Sequence, residues 1–158
     1  MKLKLALALA AALCLALPAL ADDDCPSGVK KAVEKTFPGS QVKKCESETK
    51  DGKQMYEVKL KTKEGYTTRM NLDPAGVMLM TQQYVPAEGV PKVVIKNFQQ
   101  KYPDYKVTKT EKWTYPDGHV TYRVTYGTND QKPGKTVVYT NEGAYVEETE
   151  PSMDDDMD

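Results

Sequence analysis

The feature that most restricts this chain is that it resembles itself. Displaced by 65 positions, it matches Pro26 with Pro91, Val29 with Val94, Lys31 with Lys96, Phe37 with Tyr102, Pro38 with Pro103, Val42 with Val107, Lys44 with Lys109 and Glu46 with Glu111. One more residue in the next loop aligns Asp51-Gly52 with Asp117-Gly118, Tyr56 with Tyr122 and Val58 with Val124, and a further one brings Gly76 onto Gly143. An offset that grows only at turns is what a duplicated unit with variable loops leaves behind. A unit of about 60 residues buries little surface by itself, so two such units are expected to lean on each other.

Each unit reads the same way. Pro26 and Pro91 suit a first helical position, where the missing N–H costs nothing. Val29, Val33 and Phe37, and then Val94, Phe98 and Tyr102, recur every four residues and form one apolar stripe per helix, which Pro38 and Pro103 stop. Gln41 to Glu48 and Lys106 to Tyr115 read as strands, and the Asp-Gly pairs as hairpin turns. Period-two alternation then puts Tyr56, Val58 and Leu60 on one face and Met55, Glu57, Lys59 and Lys61 on the other. Val120, Tyr122, Val124 and Tyr126 repeat the first set, and His119, Thr121, Arg123 and Thr125 the second. Third strands follow at Tyr66 to Leu72 and Lys135 to Thr140, and short fourth strands at Val77 to Gln82 and Ala144 to Glu148.

The expected fold class is therefore α+β, with two tandem units over 22–86 and 87–148. Each is one helix on a three- to four-stranded antiparallel meander, and the two sheets are able to join into one continuous curved sheet. Two facings stay open. Unbroken alternation puts Val107, Lys109, Glu111 and Trp113 on one face, which would bury Lys109 and Glu111 beside the helix; a bulge would reverse Trp113. The same choice decides whether Cys45 reaches Cys25.

The ends bear on the compartment. Met1-Lys2-Leu3-Lys4 precedes an apolar run from Leu5 to Leu17, and Pro18-Ala19-Leu20-Ala21 supplies the small-x-small pattern that a signal peptidase reads, which predicts cleavage after Ala21 and export to the periplasm or beyond. The run falls short of the roughly 20 residues of a membrane span, so no stable membrane anchor is expected. Export removes Cys14 and leaves Cys25 and Cys45 where thiols oxidise, so one disulfide across a 20-residue separation is the economical expectation. Chain-entropy models give such a loop about 3 kcal/mol. A catalytic or metal-binding pair would want a CxxC spacing or nearby histidines, and His119 is the only histidine.

Charge is unevenly placed. From Cys25 to Val146 there are 20 positive and 13 negative side chains, a net of +7, whereas Asp22 to Asp24 and the segment from Glu147 onward are acidic. Residues 149–158 read as an acidic, disordered tail; its carboxylates would attract a hard cation, but the spaced ligands and glycine turn of a formed calcium site are missing.

Pro-x-x-Val at a helix start, an aromatic-Pro step at its end, Asp-Gly before Tyr-x-Val and a late glycine before the last strand resemble the PepSY-like domains of bacterial envelope proteins. The tandem form of that family is described as similar to beta-lactamase-inhibitor proteins. The resemblance runs from Cys25 to about Glu148 and is carried by turn and core positions. It implies a fold and, by extension, an inhibitor-like, non-enzymatic binding role.

The inventory for catalysis is thin. A serine–histidine arrangement would have to use His119, at a hairpin tip, and carboxylate pairs such as Glu46 and Glu48 have no apolar pocket implied around them. No phosphate-binding glycine loop or zinc spacing occurs, and no cofactor is expected. Lys59, Lys61 and Arg69 would line phosphates, but export argues against nucleic acid and favours a protein partner in the envelope or outside the cell. The hairpin 113–119 carries the only tryptophan, and Trp, Tyr and Arg often dominate interface energetics. Lys59, Lys61, Arg69, Tyr115, His119 and Arg123 are accordingly the candidate partner-binding residues. The alternative is an envelope stress or sensor protein that binds a small ligand or metal.

Overall fold

The structure, a computed structural model, describes residues 25–127 and 134–150. The proposed signal segment and most of the acidic tail lie outside the described residues. Helix α1 (Ser27–Thr36) is followed by β1 (Gln41–Lys50), β2 (Lys53–Lys61), β3 (Thr67–Leu72) and β4 (Met78–Tyr84). A single 3₁₀ turn, Ala87–Gly89, leads to α2 (Lys92–Lys101), then β5 (Lys106–Thr114), β6 (Val120–Gly127), β7 (Thr136–Thr140) and β8 (Tyr145–Thr149). All eight strands form one antiparallel sheet in chain order, with β1 and β8 at its edges.

The local signals act almost as read. Pro26 and Pro91 sit one residue earlier than expected, at the N-cap rather than inside the helix; the Pro26 carbonyl accepts the Lys30 N–H at 3.0 Å. Phe37 and Tyr102 close the helices by donating their N–H groups to Val33 and Phe98, and the following prolines prevent another turn. Asp51 and Gly52 both have positive φ, the conformation a two-residue hairpin with right-handed twist requires. The β5–β6 hairpin carries one more residue and places only Gly118 there, so the repeat offset grows at that turn.

Both helices lie on the same side of the sheet. Val29 and Val33 pack with Tyr56, Val58, Leu60, Met70 and Leu72; Val94 and Phe98 pack with Tyr122, Val124, Tyr126, Val137 and Tyr139. The partner chain Met70, Thr81, Thr114, Val120 carries one facing across the middle of the sheet. Between the two apolar clusters the helix side is polar, with Thr81, Gln83, Lys112 and Thr114 meeting where β4 pairs β5. The halves thus join by backbone pairing rather than through one shared apolar core.

A bulge settles the two open facings. The register shifts between Val42 and Lys44 in β1 and again between Val107 and Lys109 in β5, positions 65 apart. Each inserted residue lets the valine face the helix while the next alternation is reversed. Cys45 consequently faces inward and is bonded to Cys25, with Cα atoms 5.7 Å apart, tying the start of α1 to β1. The same reversal turns Lys109, Glu111 and Trp113 to the side away from the helices.

Candidate functional site

Among the described residues no helix lies on the second side of the sheet. Lys59 pairs with Arg69, Arg69 with Gln82, Gln82 with Trp113 and Trp113 with Thr121, so one row of side chains crosses five strands. At about 4.8 Å per strand it is about 19 Å long. Glu111, Arg123, Val138 and Glu147 run beside it in the second half, and Lys61 with Thr67 in the first. Continued alternation from Thr114 and Val120 sets Tyr115 and His119 at the hairpin end of the same side. All six candidate residues therefore share one face, brought together by the β4–β5 seam.

The centre of this face is built around Trp113. The Arg123 guanidinium lies 3.7 Å from the centre of the indole ring, a cation–π contact, on a strand partner position diagonal to it. Glu111 is only 7 % exposed and pairs with Lys109 at 3.2 Å, and Thr121 is only 8 % exposed. The Trp113 Nε1, the Nε atoms of Arg69 and Arg123 and the Thr121 hydroxyl are shielded and have no hydrogen-bond partner. Arg69 Nε comes within 4.0 Å of Glu57 Oε1, close enough for charge attraction but too long for a hydrogen bond.

At the hairpin end the Tyr115 and His119 rings stack 4.1 Å apart and nearly parallel. Asp117 accepts the backbone N–H of His119, which with the imidazole contact holds its carboxyl below the ordinary carboxylate range. These residues order the hairpin. The stacked rings form a flat aromatic edge, with the Asp117 carboxylate against the imidazole.

In the first half like charges face each other: Lys44 pairs with Lys59, Lys59 with Arg69, and Glu46 with Glu57. Like charges directly opposite destabilise a sheet. The relief comes along the strand, where Lys44 meets Glu46 at 2.7 Å. The basic row is thus interleaved with acids, which the residue count alone did not reveal. Sequence reasoning also missed Gln82 and Thr121 as members of the site. The alternation in β4 was available as a signal, but nothing in the sequence fixes which residue of β5 stands beside which residue of β4.

The class defined here is an open antiparallel α+β sheet covered on one side by two helices. By sequence, the chain belongs to the family described as "Putative beta-lactamase-inhibitor-like, PepSY-like", which matches residues 17–80 and 72–144. A solved DUF2874 family protein from Bacteroides uniformis superposes with a TM-score of 0.64 at 18 % identity, covering 78 % of this chain and 87 % of its own. A BLIP-like protein from Bacteroides fragilis does so with a TM-score of 0.62 at 21 % identity, covering 82 % and 90 %. A third, from Bacteroides eggerthii and described as "putative periplasmic", gives 0.64 at 18 %, covering 79 % and 88 %. At these identities the likeness shows the fold. No curated protein matches by sequence. Among the described residues no helix is long and apolar enough to cross a membrane.

Proposed function

We propose that this is an exported, non-enzymatic binding protein, cleaved after Ala21, that presents the helix-free sheet face to a protein partner in the cell envelope or outside the cell. The two halves are read as tandem copies of one unit, joined at the β4–β5 seam to make that face. The observation that carries the proposal is the convergence of Lys59, Lys61, Arg69, Tyr115, His119 and Arg123 on one side of one sheet, around a Trp113–Arg123 stack. Aromatic and arginine side chains grouped at the middle of a surface are the usual carriers of interface energy. The description of solved relatives as "putative periplasmic" and BLIP-like supports the compartment and an inhibitor-like role.

The test is a photo-crosslinking amino acid placed at Gln82, on the seam, in the protein expressed in its native envelope. One protein should be captured repeatedly, and Lys59→Glu with Arg69→Glu should abolish the capture. A crosslinker at Lys96, on the exposed side of α2, should not capture it. Equal capture from both positions, or capture indifferent to the charge reversals, overturns the proposal. A small-ligand sensor would instead show itself in a thermal-shift screen, where a ligand at a hundred times its Kd stabilises by about 2.7 kcal/mol.

A further inference from the structure

Resting on that reading of the open face, we propose that its occupant is an acidic protein segment whose carboxylates are received by Arg69, Arg123 and the Trp113 indole N–H. The chain as a whole has a formal charge of −1. The open side of β2 to β6 departs from that balance. It carries Lys53, Lys59, Lys61, Arg69, Lys109 and Arg123 against Glu57 and Glu111 alone. Its acids are already engaged, Glu111 with Lys109 at 3.2 Å and Glu57 near Arg69. What is left without a hydrogen-bond partner is a set of donors: Arg69 Nε, Trp113 Nε1 and Arg123 Nε, beside the Thr121 hydroxyl. Shielded N–H groups without an acceptor are unfavourable, and an acceptor arriving from outside relieves them.

Arg69 and Trp113 stand on either side of Gln82, about 10 Å apart at the ordinary strand spacing. That spans several residues of an extended segment, so two carboxylates of one chain reach both arginines. Met80, half-buried in the row of Glu57 and Asn71, provides apolar contact beside the donors. A free phosphate or a lipid headgroup has no use for such contacts. In the unbound protein the Arg123 guanidinium rests on the indole ring. A carboxylate that draws this guanidinium outward uncovers Nε1, and Trp113 thereby reports occupancy.

Because Trp113 is the only tryptophan, its indole N–H gives a single resonance that can be followed in the intact protein. The probes are a twelve-residue Glu-Gly alternating peptide, its Gln-Gly counterpart, inorganic polyphosphate and phosphatidylglycerol vesicles. The glutamate peptide should shift the resonance saturably, with at least tenfold weaker binding by the glutamine peptide and tenfold loss in the Arg69→Gln, Arg123→Gln double variant. If that variant folds poorly, raising NaCl from about 0.05 to about 0.5 M gives the same reading, because screening weakens such contacts. No shift with the glutamate peptide, an equal response to the glutamine peptide, or equal responses to polyphosphate or vesicles overturns the inference. So does a shift produced merely by deleting residues 151–158, since the acids would then be the chain's own. If the crosslink from Gln82 still captures its protein while these titrations fail, the face binds by other chemistry; failure of both removes the reading beneath it.

Discussion

The two halves of the sheet carry the same order of elements and secure it by different means. In the first, Cys25 and Cys45 bond α1 to β1 within a largely aliphatic cluster of Val29, Val58, Leu60, Met70 and Leu72. In the second, the positions 65 further on are Val90 and Thr110, both buried, and the Thr110 hydroxyl donates to the Val85 carbonyl. Its cluster is aromatic, with Phe98, Tyr122, Tyr126 and Tyr139, and the far edge is tied down by a hydrogen bond from the Tyr102 hydroxyl to Glu148 and by Lys101 over the Tyr145 ring. A covalent tie holds one outer strand; polar and cation–π contacts hold the other. The lesson is that an edge strand needs an anchor, whatever its chemistry, before the sheet between the edges can present a face.

Breaking the covalent anchor should have the largest effect. Reduction, or Cys25→Ser with Cys45→Ser, should lower stability by about 3 kcal/mol in denaturant unfolding, whereas Thr110→Val, its counterpart in the second half, should cost only about 1 kcal/mol. The glycines give the next contrast. Gly76 and Gly143 both have positive φ, but a Cβ at Gly76 would stand 2.4 Å from the Gly28 backbone oxygen, and one at Gly143 would meet the Val93 side chain at 2.9 Å. Gly76→Ala should therefore destabilise by about 3 kcal/mol and Gly143→Ala by about 1 to 2, because a side chain can move aside and a backbone cannot.

The second half's anchor is pH-sensitive in a way the disulfide is not. The Tyr102 hydroxyl, followed by Lys135, holds the Glu148 carboxyl below the ordinary carboxylate range, and burial followed by the bond to Glu148 raises the Tyr102 phenol. A depressed carboxyl contributes stability above its unfolded pKa, which is lost as pH falls through the folded value. Thermal unfolding followed from pH 6 to 3 should show a stability loss that is smaller in Tyr102→Phe than in the parent. Glu148 is exposed, so the difference should be modest. The smallest expected effect has the opposite sign. Lys59→Gln removes a cation from between Lys44 and Arg69 and should stabilise by about 0.3 kcal/mol while weakening binding on the open face.

The helices, hairpins and most strand facings were legible because local rules govern them: proline caps, an aromatic-Pro stop, Asp-Gly turns and period-two alternation. The facing of Trp113 and Cys45 was not, since a bulge adds one residue at no position that alternation fixes, and its one mark in the sequence is that unbroken alternation would set the charged Lys109 and Glu111 beside the helix. The seam was less legible still. Gln82 meets Trp113 across a connection that contains a whole helix, and no turn sets that register. Alternation alone set Lys59 and Lys61 on one side of their strand and His119 and Arg123 on one side of theirs, while the joining of the two faces required the structure.

That joining carries the account, and amide hydrogen exchange tests it most directly. The four β4–β5 partner pairs, Thr81 with Thr114 through Tyr84 with Glu111, should include amides protected as strongly as those of Val58 in β2 and Val124 in β6, showing one cooperative sheet. Seam amides that exchange like those of the turns, while both β2 and β6 stay protected, would mean that the halves open independently, and a single binding face would be contradicted.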